Sequence, residues 1–169
     1  YSLAAAASCF EAVTFEPVPI NAHKIITSAR RNGFAGRLHV YTVGASDSFG
    51  AFDMGESTTN QGEATHTAAK TSKSSLLGTG VARIPVGKLD DMMPLDSWPR
   101  TRPVYVKIDV EGYEHFVLKG IGETLEKYRP LVIFEHAEEN KASYGSFEGM
   151  RELFPEGYEF YQFDRRGAY

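Results

Sequence analysis

The sequence predicts an α/β domain in which helices cover the faces of a parallel sheet. Short apolar runs alternate with longer amphipathic ones, which is typical of repeated strand–helix–strand units. The run at residues 104–110 is rich in β-branched side chains and predicts a strand buried on both faces. Ionisable residues lie within this run and just after it, at the edge where open α/β sheets bind ligands: Lys107, Asp109, Glu111 and Glu114.

Composition places the chain among ordinary globular proteins. Its 169 residues suit one domain, and the hydrophobic fraction of 42% and charged fraction of 24% exclude disorder and collagen-like repeats. The net charge is −4 and the basic residues are scattered, so no patch favours a nucleic acid partner. A single cysteine, Cys9, excludes an internal disulfide framework. No run of about 18 apolar residues predicts a membrane span, and the compartment stays open.

The first elements are a helix, a strand, a second helix and a second strand. Residues 1–7 are alanine-rich and predict a helix without an N-cap, so we expect the sequence to begin inside an element. Residues 12–16 predict a short strand. Pro19 favours the first turn of a helix and Gly33 favours the position just past its end. Residues 38–43 predict the next strand.

The middle of the chain is dominated by a polar segment. Residues 51–54 predict a strand, and residues 55–80, rich in Ser, Thr, Gly, Asn and Ala, predict a long mobile loop within the domain. Residues 82–86 predict a short strand and residues 89–93 a turn or short helix. The proline-bounded residues 97–103 then connect to the central strand.

The last third returns to a regular pattern. Residues 115–128 have apolar positions close to the helical period, and Pro130 ends this helix before a buried strand at residues 131–134. A short helix is expected at residues 147–154. Residues 158–163 predict a closing, aromatic-rich strand at an antiparallel edge of the sheet.

Glu16 is the first candidate ligand-binding residue, at the end of an early strand. In nucleotide-binding α/β folds a carboxylate there accepts hydrogen bonds from ribose hydroxyls, about 20 residues after a glycine-rich loop. Counting back that far passes beyond Tyr1, so we expect the acid without the first strand and its glycine-rich loop. The alternative is a structural role, in which Glu16 interacts with the dipole of the following helix and contributes about 0.3–1 kcal/mol.

Four segments of the chain together carry a family resemblance. They are F-E-P-V-P-I-N at residues 15–21, V-K-I-D-V-E-G-Y-E at 106–114, L-K-G at 118–120 and R-P-L-V-I-F-E-H at 129–136. In order and spacing they resemble the FkbM family of S-adenosylmethionine-dependent methyltransferases. The resemblance implies a class I, Rossmann-like sheet with helices on both faces, here lacking the first strand and glycine-rich loop. It also implies O-methylation of a sugar, polyketide or other small-molecule hydroxyl.

Carried over position by position, the resemblance implies a set of cofactor contacts. Glu16 becomes the ribose-binding acid, with Pro17 next to it. Ala45 and Ser46 are placed beside the adenine, where backbone groups commonly make the contacts. Asp109 is placed near the methionine part of the cofactor and the incoming nucleophile.

Three residues are candidates for the catalytic chemistry. Methyl transfer to a hydroxyl is an in-line displacement, so the enzyme aligns the nucleophile and removes its proton as the bond forms. Asp109 or Glu111 is a candidate base, and His136 is a candidate base or substrate contact. In the structural alternative, Glu111 and Glu114 stabilise a helix through its dipole. A lone histidine at a strand end, such as His136, is more often a structural residue.

Two other interpretations stay open at the level of sequence. An oxygen-rich cluster suits magnesium, manganese or calcium, and the chain offers one: Asp109, Glu111, Glu114, Glu135 and His136. Alternatively, the chain is a truncated or degenerate module that binds a partner without chemistry, since a missing central strand would expose the backbone edges of its neighbours. A nicotinamide dehydrogenase is a weaker rival, because E-G-Y-E has no part in hydride transfer.

Two expectations concern packing rather than chemistry. Lys107 lies inside a predicted buried strand and needs an ion-pair partner, for which we expect Glu135. The aromatic side chains of the predicted closing strand are expected in the core rather than around an acceptor: Tyr158, Phe160, Tyr161 and Phe163.

Overall fold

The fold was described from a computed structural model. It describes residues 1–55, 81–93, 98–99, 101–110, 112–135, 146–164 and 167–168. The predicted loop at residues 55–80 lies outside this part of the chain except for Gly55, and Glu111 and His136 also lie outside it. Within the described residues, no helix has the length and apolar character needed to cross a membrane.

The elements follow the α/β order that the sequence predicts. In chain order they are α1 (Ser2–Ala7), β1 (Ala12–Phe15), α2 (Pro19–Arg31), a 3₁₀ turn (Ala35–Arg37), β2 (Leu38–Tyr41), β3 (Gly44–Ser46), β4 (Gly50–Gly55), β5 (Val81–Lys88), α3 (Leu89–Met92), β6 (Tyr105–Ile108), α4 (Glu114–Gly120), α5 (Gly122–Tyr128), β7 (Leu131–Phe134), α6 (Phe147–Arg151), β8 (Phe163–Asp164) and β9 (Gly167–Ala168). The fold class is therefore confirmed.

Parallel pairing dominates the strands that flank the helices. β1 pairs with β2, Ala12 opposite Leu38, and β6 pairs with β7, Tyr105 opposite Leu131. β5 lies between β3, which is parallel to it, and β4, which is antiparallel. Within the described part of the chain, no ladder joins the β1–β2 pair to the β6–β7 pair. One edge of β1 and one edge of β6 thus have no strand partner there.

Two hydrophobic clusters of different size hold these elements together. The small core lies between α1, α2 and the β1–β2 pair and is mostly alanine: Ala6, Ala12, Ala29 and Leu38. The large core joins α3, α4, α5, α6 and β6: Leu89, Ile108, Val117, Leu118, Ile121, Leu125 and Met150. Larger side chains remove more apolar area from water, so the large core contributes the greater share of the hydrophobic stabilisation.

The helix boundaries partly match the predictions. Pro19 is the first residue of α2, and Gly33 follows its end with φ of +75°. The single helix predicted at residues 115–128 is wrong, because the chain forms α4 and α5 with a break at Ile121 (φ −116°, ψ 22°). Both helices bury residues of the large core, so the apolar period continues through the break. The helix predicted at residues 147–154 ends earlier, at Arg151.

The predictions that β6 is buried on both faces and that β7 is a buried strand are wrong. Ile108 is 3% exposed, whereas Tyr105, Leu131 and Ile133 are 59%, 59% and 48% exposed. The large core covers one face, whereas on the other face these three side chains are largely exposed and the Phe10 ring meets Tyr105 edge-on, with ring centroids 6.0 Å apart. An apolar run indicates that a strand is hydrophobic, but it does not indicate whether another element covers each face of that strand.

The closing strand predicted at residues 158–163 is also wrong. The ladder here is limited to Phe163 and Asp164, which pair antiparallel with residues 167–168. Tyr158 and Phe160 are half-buried and pack edge-on against Phe154, and of the two Tyr158 packs against the large core. Tyr161 and Phe163 are instead exposed, at 64% and 72%.

Candidate functional site

The turn after β1 carries Glu16 and begins α2. The Glu16 amide donates to the Tyr41 carbonyl oxygen at 3.0 Å, which extends the pairing of β1 with β2 by one residue. The Glu16 Oε1 atom accepts a hydrogen bond from the Val18 amide at 2.9 Å, and Val18 is the N-cap of α2. Glu16 therefore has the structural role that was the alternative to ribose binding. Its other oxygen, Oε2, accepts no hydrogen bond from the described residues, so that a ligand role stays compatible with the geometry.

Pro17 and β3 form the next part of this edge. A Cβ atom at Gly44 would lie 3.8 Å from the Pro17 Cβ atom and 2.9 Å from the Val86 Cγ1 atom, so the chain passes closely here. Ser46 is 2% exposed, and its hydroxyl donates to the Asp47 Oδ1 atom at 3.4 Å. The segment predicted to contact adenine is thus enclosed by its neighbours.

The end of α4 presses directly on this segment. A Cβ atom at Gly120 would overlap the Ser46 carbonyl oxygen and lie 2.9 Å from the Ser46 carbonyl carbon. Only a glycine allows helix and strand backbones to approach so closely. This contact explains why the L-K-G segment ends in glycine. The sequence provided this motif but not the packing reason for its glycine.

The turn after β6 carries Asp109, whose side chain is 42% exposed. The Asp109 Oδ2 atom lies 3.1 Å from the Lys107 Nζ atom, and the same ammonium donates to the Ile108 carbonyl oxygen at 2.9 Å. The predicted pairing of Lys107 with Glu135 is therefore wrong. Lys107 projects from the open face of β6, with a side chain 23% exposed, so its head group reaches the carboxylate two residues along the same strand.

Glu114 shapes the same turn from the helix side. It is 5% exposed in the first turn of α4, and its Oε1 atom accepts hydrogen bonds from the Val110 and Gly112 amides, each at 3.3 Å. Gly112 has a φ of +94°, a conformation that side chains rarely adopt. The sequence predicted Glu114 in the first turn of a helix, which is confirmed, but not these bonds.

Residues next to three predicted site residues pack against the same core. Phe15, Ala45 and Val110 are half-buried and pack against the large core. Each is next in sequence to one predicted site residue: Glu16, Ser46 and Asp109. Each of these site residues follows or ends a strand of a parallel pair, and open α/β sheets bind ligands at the carboxyl ends of such strands.

His115 is the second residue of α4, and the sequence did not mark it as a site residue. Burial, with the nearby Lys119 ammonium, lowers its pKa below the usual value, and Asp47 opposes the shift. Its Nδ1 atom is buried and has no hydrogen-bond partner within the described residues. Its position directly after the E-G-Y-E segment is the signal that would have found His115.

The described residues do not support the metal interpretation. Within them, no group of three or more His, Cys, Asp or Glu side chains is arranged to hold a metal ion. One oxygen of Glu114 is already committed to two backbone amides. Glu111 and His136, two members of the predicted cluster, lie outside the described part of the chain.

Comparison with known proteins supplies the family. A family model described as the methyltransferase FkbM domain matches residues 1–163. The chain belongs to the FkbM methyltransferase family. This FkbM domain also resembles a solved structure, the methyltransferase FkbM from Methylobacillus flagellatus KT, at 20% sequence identity and a TM-score of 0.56. At that identity the likeness concerns the fold.

The lengths of the two chains differ. The match covers 90% of this FkbM domain and 32% of the chain from Methylobacillus flagellatus KT. The domain therefore spans about a third of that solved chain. A search among curated proteins finds no match.

Proposed function

We propose that this chain forms the cofactor and catalytic edge of an S-adenosylmethionine-dependent O-methyltransferase. The acceptor is a hydroxyl on a sugar, a polyketide or another small molecule. One observation carries the proposal: the residues adjacent to Glu16, Ser46 and Asp109 all pack against the large core. Membership of the FkbM family supports the reaction class.

The described groups fit the nucleoside part of the cofactor. A ribose diol needs a hydrogen-bond acceptor, and the Glu16 Oε2 atom is available while Oε1 is held by the Val18 amide. The half-buried Pro17 and Ala45 would line the adenine side, with Ser46 buried behind them against α4. The bound cofactor would supply an electrophilic methyl group on a sulfonium.

Asp109 is the proposed base. Lys107 holds the Oδ2 atom of Asp109, which leaves Oδ1 to accept the proton of the acceptor hydroxyl as the new C–O bond forms. A side chain that is 42% exposed can be reached by a substrate without moving the backbone. Glu111 and His136 remain candidates for the base or for contacts with the acceptor.

Cofactor binding tests the first half of this proposal. Glu16→Gln should weaken S-adenosylmethionine binding, measured by titration calorimetry, by about 1–3 kcal/mol, because a charged acceptor is lost. Glu11→Gln is the matched control. Glu11 precedes β1, its side chain is 65% exposed, and it pairs only with surface groups among the described residues. The dissociation constant of Glu11→Gln for S-adenosylmethionine should therefore equal that of the wild type. Equal constants for wild type and Glu16→Gln would remove Glu16 from the cofactor site.

Turnover tests the second half. Tritium-labelled S-adenosylmethionine is offered with methyl glucoside and a hydroxylated macrolide, and label in the product identifies the better acceptor. Asp109→Asn should retain the circular dichroism spectrum and lower kcat about 10²–10⁴-fold, the usual contribution of a general base. Full activity in this variant would contradict the role. Turnover that a chelator removes and magnesium restores would favour the metal interpretation, and absence of cofactor binding in the wild type would favour the non-catalytic module.

A further inference from the structure

Glu114 is a buried carboxylate, and its hydrogen bonds among the described residues all lie within the turn after β6. Burying a carboxylate is unfavourable unless donors or cations meet its charge. In the described part of the chain, no Lys, Arg or His forms an ion pair with Glu114. Two backbone amides, those of Val110 and Gly112, meet the Oε1 atom instead.

These two hydrogen bonds tie the turn to the helix. The backbone bends at Gly112, where φ is +94°, and the Tyr113 amide donates to the Val110 carbonyl oxygen at 3.2 Å. Val110 also packs against the large core. The turn is therefore held by the core on one side and by the Glu114 carboxylate on the other.

Asp109 lies immediately before this clamped turn. Its backbone is bonded to Val110, whose amide Glu114 holds, and its carboxylate is held by Lys107. The direction of the free Asp109 oxygen depends on both restraints. A displacement of about 1 Å in a reacting group lowers turnover on the order of 10²-fold.

We propose that Glu114 is a positioning residue that sets the place of the Asp109 carboxylate relative to the acceptor. The inference rests on the proposed function and extends it, because Glu114 contacts neither cofactor nor acceptor and acts through the turn. Glu16 and Ser46 lie on other elements. Loss of the Glu114 carboxylate should therefore lower kcat and leave cofactor affinity in place.

The test compares Glu114→Ala with Glu114→Gln. In Glu114→Ala, kcat with the better acceptor should fall by about 10- to 100-fold, while the dissociation constant for S-adenosylmethionine should change by less than about threefold. Glu114→Gln should recover part of kcat, because the amide oxygen still accepts hydrogen bonds from backbone amides.

Asp90→Asn provides the matched control. Asp90 is also buried, at 7% exposure, and it also accepts backbone hydrogen bonds, from the Glu123 and Thr124 amides at the start of α5. It makes no contact with the turn that carries Asp109 among those described. The Asp90→Asn substitution should therefore lower the stability of the fold, while kcat, measured well below the melting temperature, stays at the wild-type value.

Three results would overturn the proposal. They are wild-type kcat in Glu114→Ala, a loss of kcat that equals the unfolded fraction, and an equal loss of kcat in Asp90→Asn. Amide hydrogen exchange gives a readout independent of turnover, since the Val110 and Gly112 amides should exchange faster in Glu114→Ala. If the wild type neither binds cofactor nor turns over, the proposed function fails, and unchanged exchange at these amides would separately show that Glu114 does not hold the turn.

Discussion

The turns after β1 and β6 both present an acid at the candidate site, but they divide the structural work differently. After β1, one oxygen of Glu16 holds the first turn of α2, so a single carboxylate serves the fold and the proposed ligand. After β6, Glu114 holds the backbone and Asp109 is paired only with Lys107 among the described contacts. Because different residues do these two things, Asp109 can contact a ligand or bind a proton while Glu114 keeps the hydrogen bonds that hold the turn.

The supporting cores differ in the same sense. The helix after the β1 turn, α2, packs against the small, alanine-based core, whereas the helix after the β6 turn, α4, supplies Val117 and Leu118 to the large core. Small side chains bury little apolar area, so hydrogen bonds of the Glu16 kind carry more of the local order there. Replacing Glu16 should therefore disturb its own helix more than replacing Asp109 disturbs α4.

The largest expected effect disturbs the contact between β3 and α4, the helix that follows the β6 turn. Gly120→Ala places a methyl group against the Ser46 carbonyl, and because the obstacle is backbone, β3 or α4 must move. We expect a loss of about 3 kcal/mol or more in the free energy of unfolding, at the upper end of overpacking costs. Chemical denaturation measures it.

Gly122→Ala is the control for this substitution. A Cβ atom at Gly122 meets nothing within 4 Å, and the residue begins α5. The change should be neutral or stabilising by up to about 1 kcal/mol, since alanine favours helix. Equal stabilities for the two variants would show that α4 and β3 are not in close contact.

A second, smaller effect concerns a buried carboxylate that is proposed to have only a structural role. Asp90 accepts hydrogen bonds from the Glu123 amide at 2.7 Å and from the Thr124 hydroxyl at 2.6 Å, and it has no proposed ligand role. Asp90→Ala should cost about 1–3 kcal/mol, because buried donors lose their acceptor. Thermal unfolding followed by circular dichroism measures this loss.

Its neighbour supplies the contrast. The Asp91 side chain is 47% exposed and pairs with Lys88 at 3.6 Å. Asp91→Ala should cost less than about 1 kcal/mol, as exposed ion pairs usually do. If Asp91→Ala were as costly as Asp90→Ala, burial would not be the reason for the importance of Asp90.

The smallest expected effect is a pH dependence of stability that arises from His115 in α4. The folded-state pKa of His115 is lowered, first by burial and then by Lys119, with Asp47 opposing. The unfolded chain therefore binds the proton more readily, with an ordinary pKa of about 6.5, and stability should fall as the pH drops below that value. Urea midpoints between pH 7.5 and pH 5 follow this loss.

His115→Gln should make those midpoints less dependent on pH. His23→Gln serves as the control, because His23 lies exposed on α2 and contacts Thr27 in the same helix. It should leave the pH dependence of the wild type in place. Identical profiles for wild type and His115→Gln would exclude His115 as a source of the acid sensitivity.

Local patterns predicted much of the fold. Pro19 and Gly33 bracketed α2, and the strand at residues 131–134 was placed at its observed bounds. β3 was missed because Gly-Ala-Ser has little strand propensity, and its pairing partner β5 lies about 40 residues further along the chain. The break at Ile121 was missed because α4 and α5 face the same core.

Sequence alone determined the α/β class, the order of most elements and the positions of Glu16 and Asp109, since periodicity and motif spacing are local properties. Tertiary structure decided that Lys107 pairs with Asp109, that Glu114 clamps the following turn and that Gly120 meets Ser46. It also decided which face of β6 is covered. The contact of Gly120 with Ser46 joins backbones from separate parts of the chain, which no local pattern contains. The Lys107–Asp109 pair and the Glu114 hydrogen bonds join near neighbours in sequence, but they depend on which face of β6 is left uncovered and on the path of the turn.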